Sequence, residues 1–166
     1  AHEMQEITGA LLALARERGD GHGGAGPTEV APLLEELLAR QQELFRAKPV
    51  AVEPVLRARP VVAAERAALA MVLGNLLRNA FTYTEAGSIR VELECDRVRI
   101  SDTGPGIAAG ELARVFEPYR RGAASEGAGL GLSLVKRICE HYGWAVRLTA
   151  PEEGGTVAEL RFRAQA

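Results

Sequence analysis

The sequence predicts an α+β fold in which a mixed, mostly antiparallel sheet forms one layer and three main helices form the other. Two features of the 166 residues indicate it. Apolar residues recur at helical spacings of three and four in some segments and alternate with polar residues in others. The alternating segments come mostly in neighbouring pairs joined by short turns, which is typical of hairpins. Since 47% of the residues are hydrophobic, the chain can bury a core of its own.

The first part of the chain is predicted as a short helix followed by a linker. Residues 1–18 have a helical pattern because Ile7, Leu11 and Leu14 fall on one stripe. Residues 19–27 contain five glycines, a density that favours a flexible linker. Residues 28–166 then make up the main domain. The chain begins inside a periodic segment without a signal-peptide pattern, which suggests a piece of a longer protein.

The main domain is expected to begin with a helix that Thr28 caps. Its apolar face is supplied by Leu33, Leu34, Leu37, Leu38 and Leu44. The later elements are predicted as short strands at 50–56 and 60–62, a long helix at 64–83, a hairpin of strands 88–94 and 97–101, a short helix at 111–115, a loop at 120–127, a helix at 130–142, and a closing hairpin of strands 144–150 and 156–162.

Charge, cysteine content and hydropathy give no support for nucleic-acid binding, a cysteine metal site or a membrane span. The formal net charge of -2 gives no electrostatic reason to expect a nucleic-acid partner. Cys95 and Cys139 stand far apart, in no metal-ligand spacing, and are interpreted as reduced thiols of a cytosolic protein. No apolar run reaches the roughly 18 residues that a membrane span needs.

Two asparagines lie one turn apart inside the long predicted helix. Asn75 and Asn79 share a polar stripe with Arg78 and Thr82, separate from the apolar stripe. Asparagine disfavours helix interiors because its side chain competes for backbone hydrogen bonds, so the pair suggests a task. An amide oxygen is a ligand suited to Mg²⁺. The alternative is that both amides face solvent or bond to neighbouring backbone.

A carboxylate followed by a glycine-rich turn ends the strand predicted at 97–101. Val98, Ile100 and Asp102 lie in one row, so the carboxylate emerges at the end of a core-facing row. It can only accept hydrogen bonds, and the amino group of adenine is a matching donor. Gly104 and Gly106 lack the Cβ atoms that would keep a flat ring away from the backbone. The alternative is an ordinary turn, since aspartate, glycine and proline are all turn residues.

Three alternate glycines lie at the start of the helix predicted at 130–142. They are Gly127, Gly129 and Gly131, and free N–H groups at a helix N-terminus favour phosphate. The run does not fit a Rossmann fingerprint, because Leu132 stands where the third glycine should be and no strand precedes it. The chain also lacks the Gly-Lys-Ser/Thr of a Walker A loop. The alternative is a flexible hinge.

In their order and spacing, these motifs resemble those of sensor histidine kinases. Residues 75–84 resemble the N box and residues 102–107 the first glycine box. The F box is matched by residues 116–121, the second glycine box by 127–136, and a small glycine motif by 154–156. The resemblance covers about residues 28–162 and implies the Bergerat fold of the GHKL ATPases, a two-layer α/β sandwich.

The resemblance implies a site for ATP or ADP together with Mg²⁺. Asp102 would hydrogen-bond adenine, Asn79 would coordinate Mg²⁺ with Asn75 beside it, and Tyr83 would pack near the adenine or the ribose. Further nucleotide contacts implied by the resemblance are Gly104, Gly106, Ile107, Gly127, Gly129, Leu130, Gly131, Leu132 and Thr156.

A lid from about residue 108 to residue 128 would cover ATP in such a kinase, with Arg120 or Arg121 reaching toward the γ-phosphate. Phosphoryl transfer relies mostly on positioning and charge neutralisation. Asn75, Asn79 and Arg121 are therefore the predicted catalytic residues. For Arg121 the alternative is a solvated loop cation.

Residues 7–19 resemble the end of the second helix of a dimerisation and phosphoacceptor domain, so the first helix with the acceptor histidine would be absent. The fragment is then predicted not to phosphorylate itself, because His2 lacks the downstream proline of the acceptor motif. The implied partners are the protein's own phosphoacceptor domain and a response regulator. The full-length protein is expected to be a homodimer, while a monomeric state is open to the fragment. The chain is expected to be the cytoplasmic portion of a membrane-bound sensor kinase.

One position departs from the family pattern. The family often has a lysine where Thr82 stands, and that lysine can reach phosphate. Loss of one charge-assisted hydrogen bond costs roughly 1.5–3 kcal/mol. The departure motivates an alternative function, a nucleotide-sensing module with weak transfer activity. A second alternative is an anti-sigma-type serine kinase of the same superfamily, which the phosphoacceptor-like helix disfavours.

Overall fold

The computed structural model describes residues 26–112, 114–117 and 131–162. The predicted helix 1–18, most of the predicted linker and the predicted loop 120–127 lie outside these residues. Five predicted site residues also lie outside them, namely Arg120, Arg121, Gly127, Gly129 and Leu130.

Seven strands and four helices lie along the described residues. The strands are β1 (Pro27–Glu29), β2 (Val50–Leu56), β3 (Val61–Ala63), β4 (Gly87–Leu93), β5 (Arg97–Asp102), β6 (Ala145–Thr149) and β7 (Thr156–Arg161). The helices are α1 (Val30–Leu44), α2 (Arg66–Tyr83), α3 (Ala109–Leu112) and α4 (Gly131–Tyr142).

Five strands form the main sheet in the order β2-β4-β5-β7-β6. β2 pairs with β4 in parallel, and the other three pairs are antiparallel. β1 and β3 form a separate antiparallel pair. The predicted mixed, mostly antiparallel sheet is therefore confirmed, as are both predicted hairpins.

The core lies between one face of this sheet and the helices. Alternation along β4 buries Ile89, Val91 and Leu93 completely, while their neighbours are exposed or half-buried. α1 packs on α2, and α2 packs on α4. The opposite face carries charged side chains, such as Arg99 and Glu159, which pair across strands at 2.9 Å. Among the described residues, no helix is long and apolar enough to cross a membrane.

The prediction that Thr28 caps the first helix is wrong. Thr28 lies in β1, where its buried hydroxyl donates to the carbonyl of Ala64 at 2.7 Å. α1 begins at Val30, and the capping position is held by Glu29 without a side-chain hydrogen bond. The hydroxyl is therefore used in a contact between distant segments, and no local sequence pattern predicts such a contact.

Three smaller differences concern element ends. Leu44, predicted in the apolar face of α1, is the last residue of the helix and is 69% exposed. The short helix spans Ala109–Leu112 and so begins two residues before the predicted one. β1 begins at Pro27, the last residue of the predicted linker.

Candidate functional site

Asp102 ends β5 in the middle of the main sheet, opposite Thr156 at the start of β7. Its Oδ1 accepts hydrogen bonds from the backbone N–H groups of Gly104 at 3.0 Å and Thr156 at 3.2 Å. Both hydrogen bonds from the described residues end on Oδ1, so Oδ2 can accept a donor from a ligand. The carboxylate is thus held in place by backbone, with one oxygen left for recognition.

Burial raises the pKa of Asp102 above its ordinary value, because the charged form loses water. The N–H groups of Gly104 and Thr156 lower the pKa and offset part of that rise. A partly dehydrated carboxylate is a strong acceptor for a donor that enters the same environment.

The glycines near Asp102 are needed for contacts within the protein. A Cβ at Gly104 would lie 2.9 Å from the carbonyl oxygen of Tyr83 and 3.1 Å from Asp102 Oδ1. Gly155 has a φ of +81°, and its Cβ would collide with the backbone carbonyl oxygen of Asp102. Gly106 has a φ of +78°, with a Cβ that would lie 2.9 Å from the Gly155 carbonyl oxygen. The turn after β5 and the turn before β7 therefore interlock. The sequence predicts glycine at 104 and 106 for the approach of a flat ring, and this contact between turns is a second reason for glycine.

Asn75 connects α2 to the start of α4. Its Nδ2 donates to the carbonyl of Met71 at 2.8 Å, the backbone contact that was the alternative to a ligand role. This bond also fixes the orientation of the amide. Asn75 Oδ1 lies close to Gly131, since a Cβ added there would be only 2.6 Å from it. The amide oxygen therefore faces the first residue of α4.

Asn79 lies one turn further along α2 and is half-buried. Its side chain makes no hydrogen bond with the part of the chain that the structure describes. An amide with two donors and an acceptor is left available on the same polar stripe as Asn75.

A cavity of about 550 Å³ opens at the end of α2. Thr82 and Tyr83 line it from the helix, and Gly104 and Pro105 line it from the turn after β5. Tyr83 is 37% exposed. The structure thus brings Tyr83 and Gly104 to the same cavity. Ile107 and Leu132 are half-buried.

Two residues at this end of α2 were not identified from the sequence. Lys48 Nζ donates to the carbonyls of Phe81 and Thr82, at 3.0 Å and 2.9 Å. Thr84 follows the helix with its side chain fully buried, and its Oγ1 has no hydrogen-bond partner among the described residues. Both are ordinary residue types whose position depends on distant segments, so no sequence signal distinguishes them.

Comparison with known proteins identifies a matching family and several relatives. Residues 64–166 match the family described as histidine kinase-, DNA gyrase B-, and HSP90-like ATPase. The sensor protein QseC of Escherichia coli (strain K12) is 39% identical over 97 residues, which cover 57% of this chain and 22% of QseC. The chain therefore spans less than a quarter of that relative.

Two solved structures agree with the fold over most of the chain. The mycobacterial sensor histidine kinase MprB is similar with a TM-score of 0.72 at 25% identity, covering 82% of this chain and 97% of that one. Full-length ShkA in complex with AMPPNP is similar with a TM-score of 0.74 at 27% identity, covering 97% of this chain and 35% of ShkA.

Proposed function

This chain belongs to the family of histidine kinase-, DNA gyrase B- and HSP90-like ATPases, and we propose that it binds ATP as the catalytic domain of a sensor histidine kinase. In the whole protein it transfers the γ-phosphate to a histidine on a helical hairpin domain. Its partners are that phosphoacceptor domain and a response regulator, and the whole kinase is a homodimer anchored in a membrane with this domain in the cytoplasm. The match to QseC and MprB supports this branch of the family.

The observation that carries the proposal is the hydrogen bonding of the Asp102 carboxylate. Two backbone N–H groups fix Oδ1, at 3.0 Å and 3.2 Å, and Oδ2 is left to accept a hydrogen bond from the amino group of adenine. Tyr83 and Gly104 line the adjoining cavity, to which we assign the base and its ribose. Thr156 contributes through its backbone N–H rather than its hydroxyl.

The phosphates are assigned to the region between α2 and the start of α4. The amide oxygen of Asn75 faces Gly131, so one hard oxygen donor lies at the N-terminus of α4. Asn79 carries a second amide one turn further along α2. These residues fit a Mg²⁺ ion that keeps several waters and phosphate oxygens as its other ligands. Such an ion would neutralise charge on the β- and γ-phosphates. ShkA was crystallised with AMPPNP, an ATP analogue, which supports the same occupant here.

The lid and its cations complete the proposed site. The family resemblance assigns Arg120 or Arg121 to the γ-phosphate, and Gly127, Gly129 and Leu130 to the phosphate loop. Ile107 and Leu132 are assigned to the walls of the pocket. These roles follow from position in the motifs.

Calorimetric titration of ADP and ATP, with and without Mg²⁺, tests the proposal. We expect the wild-type chain to bind both nucleotides, Mg²⁺ to strengthen ATP binding, and Asp102→Asn to weaken binding. The matched control is Asp96→Asn, because Asp96 is an aspartate of the β4–β5 turn whose side chain is 47% exposed. Absence of binding by the wild-type chain, or equal binding by wild type and Asp102→Asn, would refute the adenine assignment.

A nucleotide-sensing module with weak transfer is the second candidate, because Thr82 replaces a lysine of the family. Lys48 does not supply the missing phosphate contact, since all three of its N–H donors point to Phe81, Thr82 and Glu85. Thr82→Lys in the complete kinase discriminates the two candidates. A gain in transfer rate favours the sensor, and an unchanged rate favours the efficient kinase.

A further inference from the structure

The last turn of α2 is held by a lysine from outside the helix. Lys48 lies in the segment between α1 and β2, and its side chain is only 21% exposed. Its Nζ donates to the carbonyls of Phe81 and Thr82 and to Glu85 Oε1, at 3.0, 2.9 and 3.1 Å. These three acceptors use the full donor capacity of an ammonium group.

This contact has a clear physical basis. The last carbonyls of a helix have no partner within the helix and carry partial negative charge, so a cation there is favourable. The aromatic ring of Phe45 lies under the ammonium, 5.2 Å from Nζ to the ring centroid, and stacks on Phe81 at 5.7 Å. Lys48 is therefore fixed by an acceptor set and an aromatic platform together.

The clamped turn is the one that reaches the proposed base pocket. Thr82 and Tyr83 line the cavity beside Gly104, and the Tyr83 carbonyl lies 2.9 Å from where a Gly104 Cβ would stand. The carbonyls that Lys48 binds belong to Phe81 and Thr82, the two residues directly before Tyr83. Release of these carbonyls would let the turn fray, and Tyr83 would lose its fixed position against the turn after β5.

We propose that Lys48 is a positioning residue for nucleotide binding that acts through Tyr83 at the base and ribose end of the site. It does not touch the nucleotide. This inference rests on the proposed function, because it concerns the affinity of the same pocket.

The test measures ADP affinity by calorimetry for Lys48→Met, at a temperature where melting curves show the variant to be folded. We expect binding to weaken about threefold to tenfold, a common size for coupling through one contact. The loss should be the same with and without Mg²⁺, because the phosphate end is untouched. Arg57→Met is the matched control, since Arg57 is another ion-paired cation, 2.9 Å from Glu92, on the edge of the sheet.

A double-mutant cycle separates positioning from a merely structural role. In a Tyr83→Ala background, Lys48→Met should change ADP affinity less than about twofold, because the group it positions is gone. Additive losses would overturn the proposal, as would an unchanged affinity of Lys48→Met or a loss that appears only with Mg²⁺. If Lys48→Met does not fold, Lys48→Arg replaces it. Its planar fork keeps charge and donors in a different geometry, so the same pattern is expected with a smaller loss.

Failure of this inference is distinct from failure of the proposed function. A wild-type chain that binds no ADP overturns both. A wild-type chain that binds ADP with the same affinity as Lys48→Met overturns only the role of Lys48.

Discussion

Replacing Asp102 with asparagine should weaken nucleotide binding and, without nucleotide, stabilise the protein at neutral pH. The adenine amino group loses a charged acceptor on Oδ2. A hydrogen bond to a charged group contributes about 1.5–3 kcal/mol. The dissociation constant should therefore rise about ten- to 150-fold.

Stability should move in the opposite direction. Burial raises the folded-state pKa of Asp102 above its usual 3.8. The contribution of this group to stability is therefore fully present below pH 3.8 and is lost as the pH rises through the folded-state pKa. At neutral pH the ionised carboxylate opposes folding. Asparagine keeps an amide oxygen for the N–H groups of Gly104 and Thr156 and carries no charge.

Thermal unfolding of both proteins without nucleotide, from about pH 3 to about pH 8, measures this effect. The difference in Tm should be smallest at the acid end and should grow in favour of Asp102→Asn as the pH rises. Asp96→Asn should show no change in ADP affinity. The reasoning is refuted if Asp102→Asn melts below the wild type at neutral pH, or if it binds ADP equally well.

Three other variants or reactions test the geometry around the site. Gly154→Ala and Gly155→Ala share the penalty of a positive φ, but only the second places a Cβ against the Asp102 carbonyl. Gly155→Ala should therefore lower the free energy of unfolding in urea by about 1–3 kcal/mol more than Gly154→Ala. Equal losses in the two variants would contradict the collision. Thr84→Val removes a buried hydroxyl without a partner among the described residues, and should stabilise the protein by about 1 kcal/mol in the same assay. Burial raises the pKa of Cys139 to about 12, so only one of the two cysteines should react with a disulfide reagent at neutral pH until the protein unfolds.

The sequence was sufficient for the strands and helices whose pattern repeats over several residues. β4 and β5 alternate strictly, and α2 keeps one apolar stripe for 18 residues. Their ends were less predictable, because the contacts that end an element come from elsewhere. Thr28 had the identity of a helix cap, yet its hydroxyl binds Ala64, 36 residues away.

The same limit applies to the candidate site. Asp102 is conspicuous in the sequence because it ends a core-facing row directly before a glycine-rich turn. Asn75 and Asn79 are conspicuous because asparagine disfavours the interior of a helix. Lys48 is not, since a lysine after a helix is common and its acceptors lie 33 and 34 residues away. Part of the need for glycine at 155 arises from contact between two turns, which the motif alone does not reveal.

Two unfavourable groups lie close together beside the proposed base pocket. Thr84 Oγ1 and Asp102 Oδ1 lie 3.3 Å and 3.1 Å from the point where a Cβ at Gly104 would stand. One is a buried hydroxyl without a partner among the described residues, and the other belongs to a carboxylate whose charged form burial disfavours. Natural proteins retain such groups where function needs them and obtain stability elsewhere. In this chain the completely buried row of β4 is one source of stability outside the site. Substitution of either residue should therefore stabilise the protein, but only one substitution should weaken nucleotide binding. Asp102→Asn loses nucleotide affinity as it gains stability, whereas Thr84→Val gains stability and keeps Asp102 as the acceptor for the base.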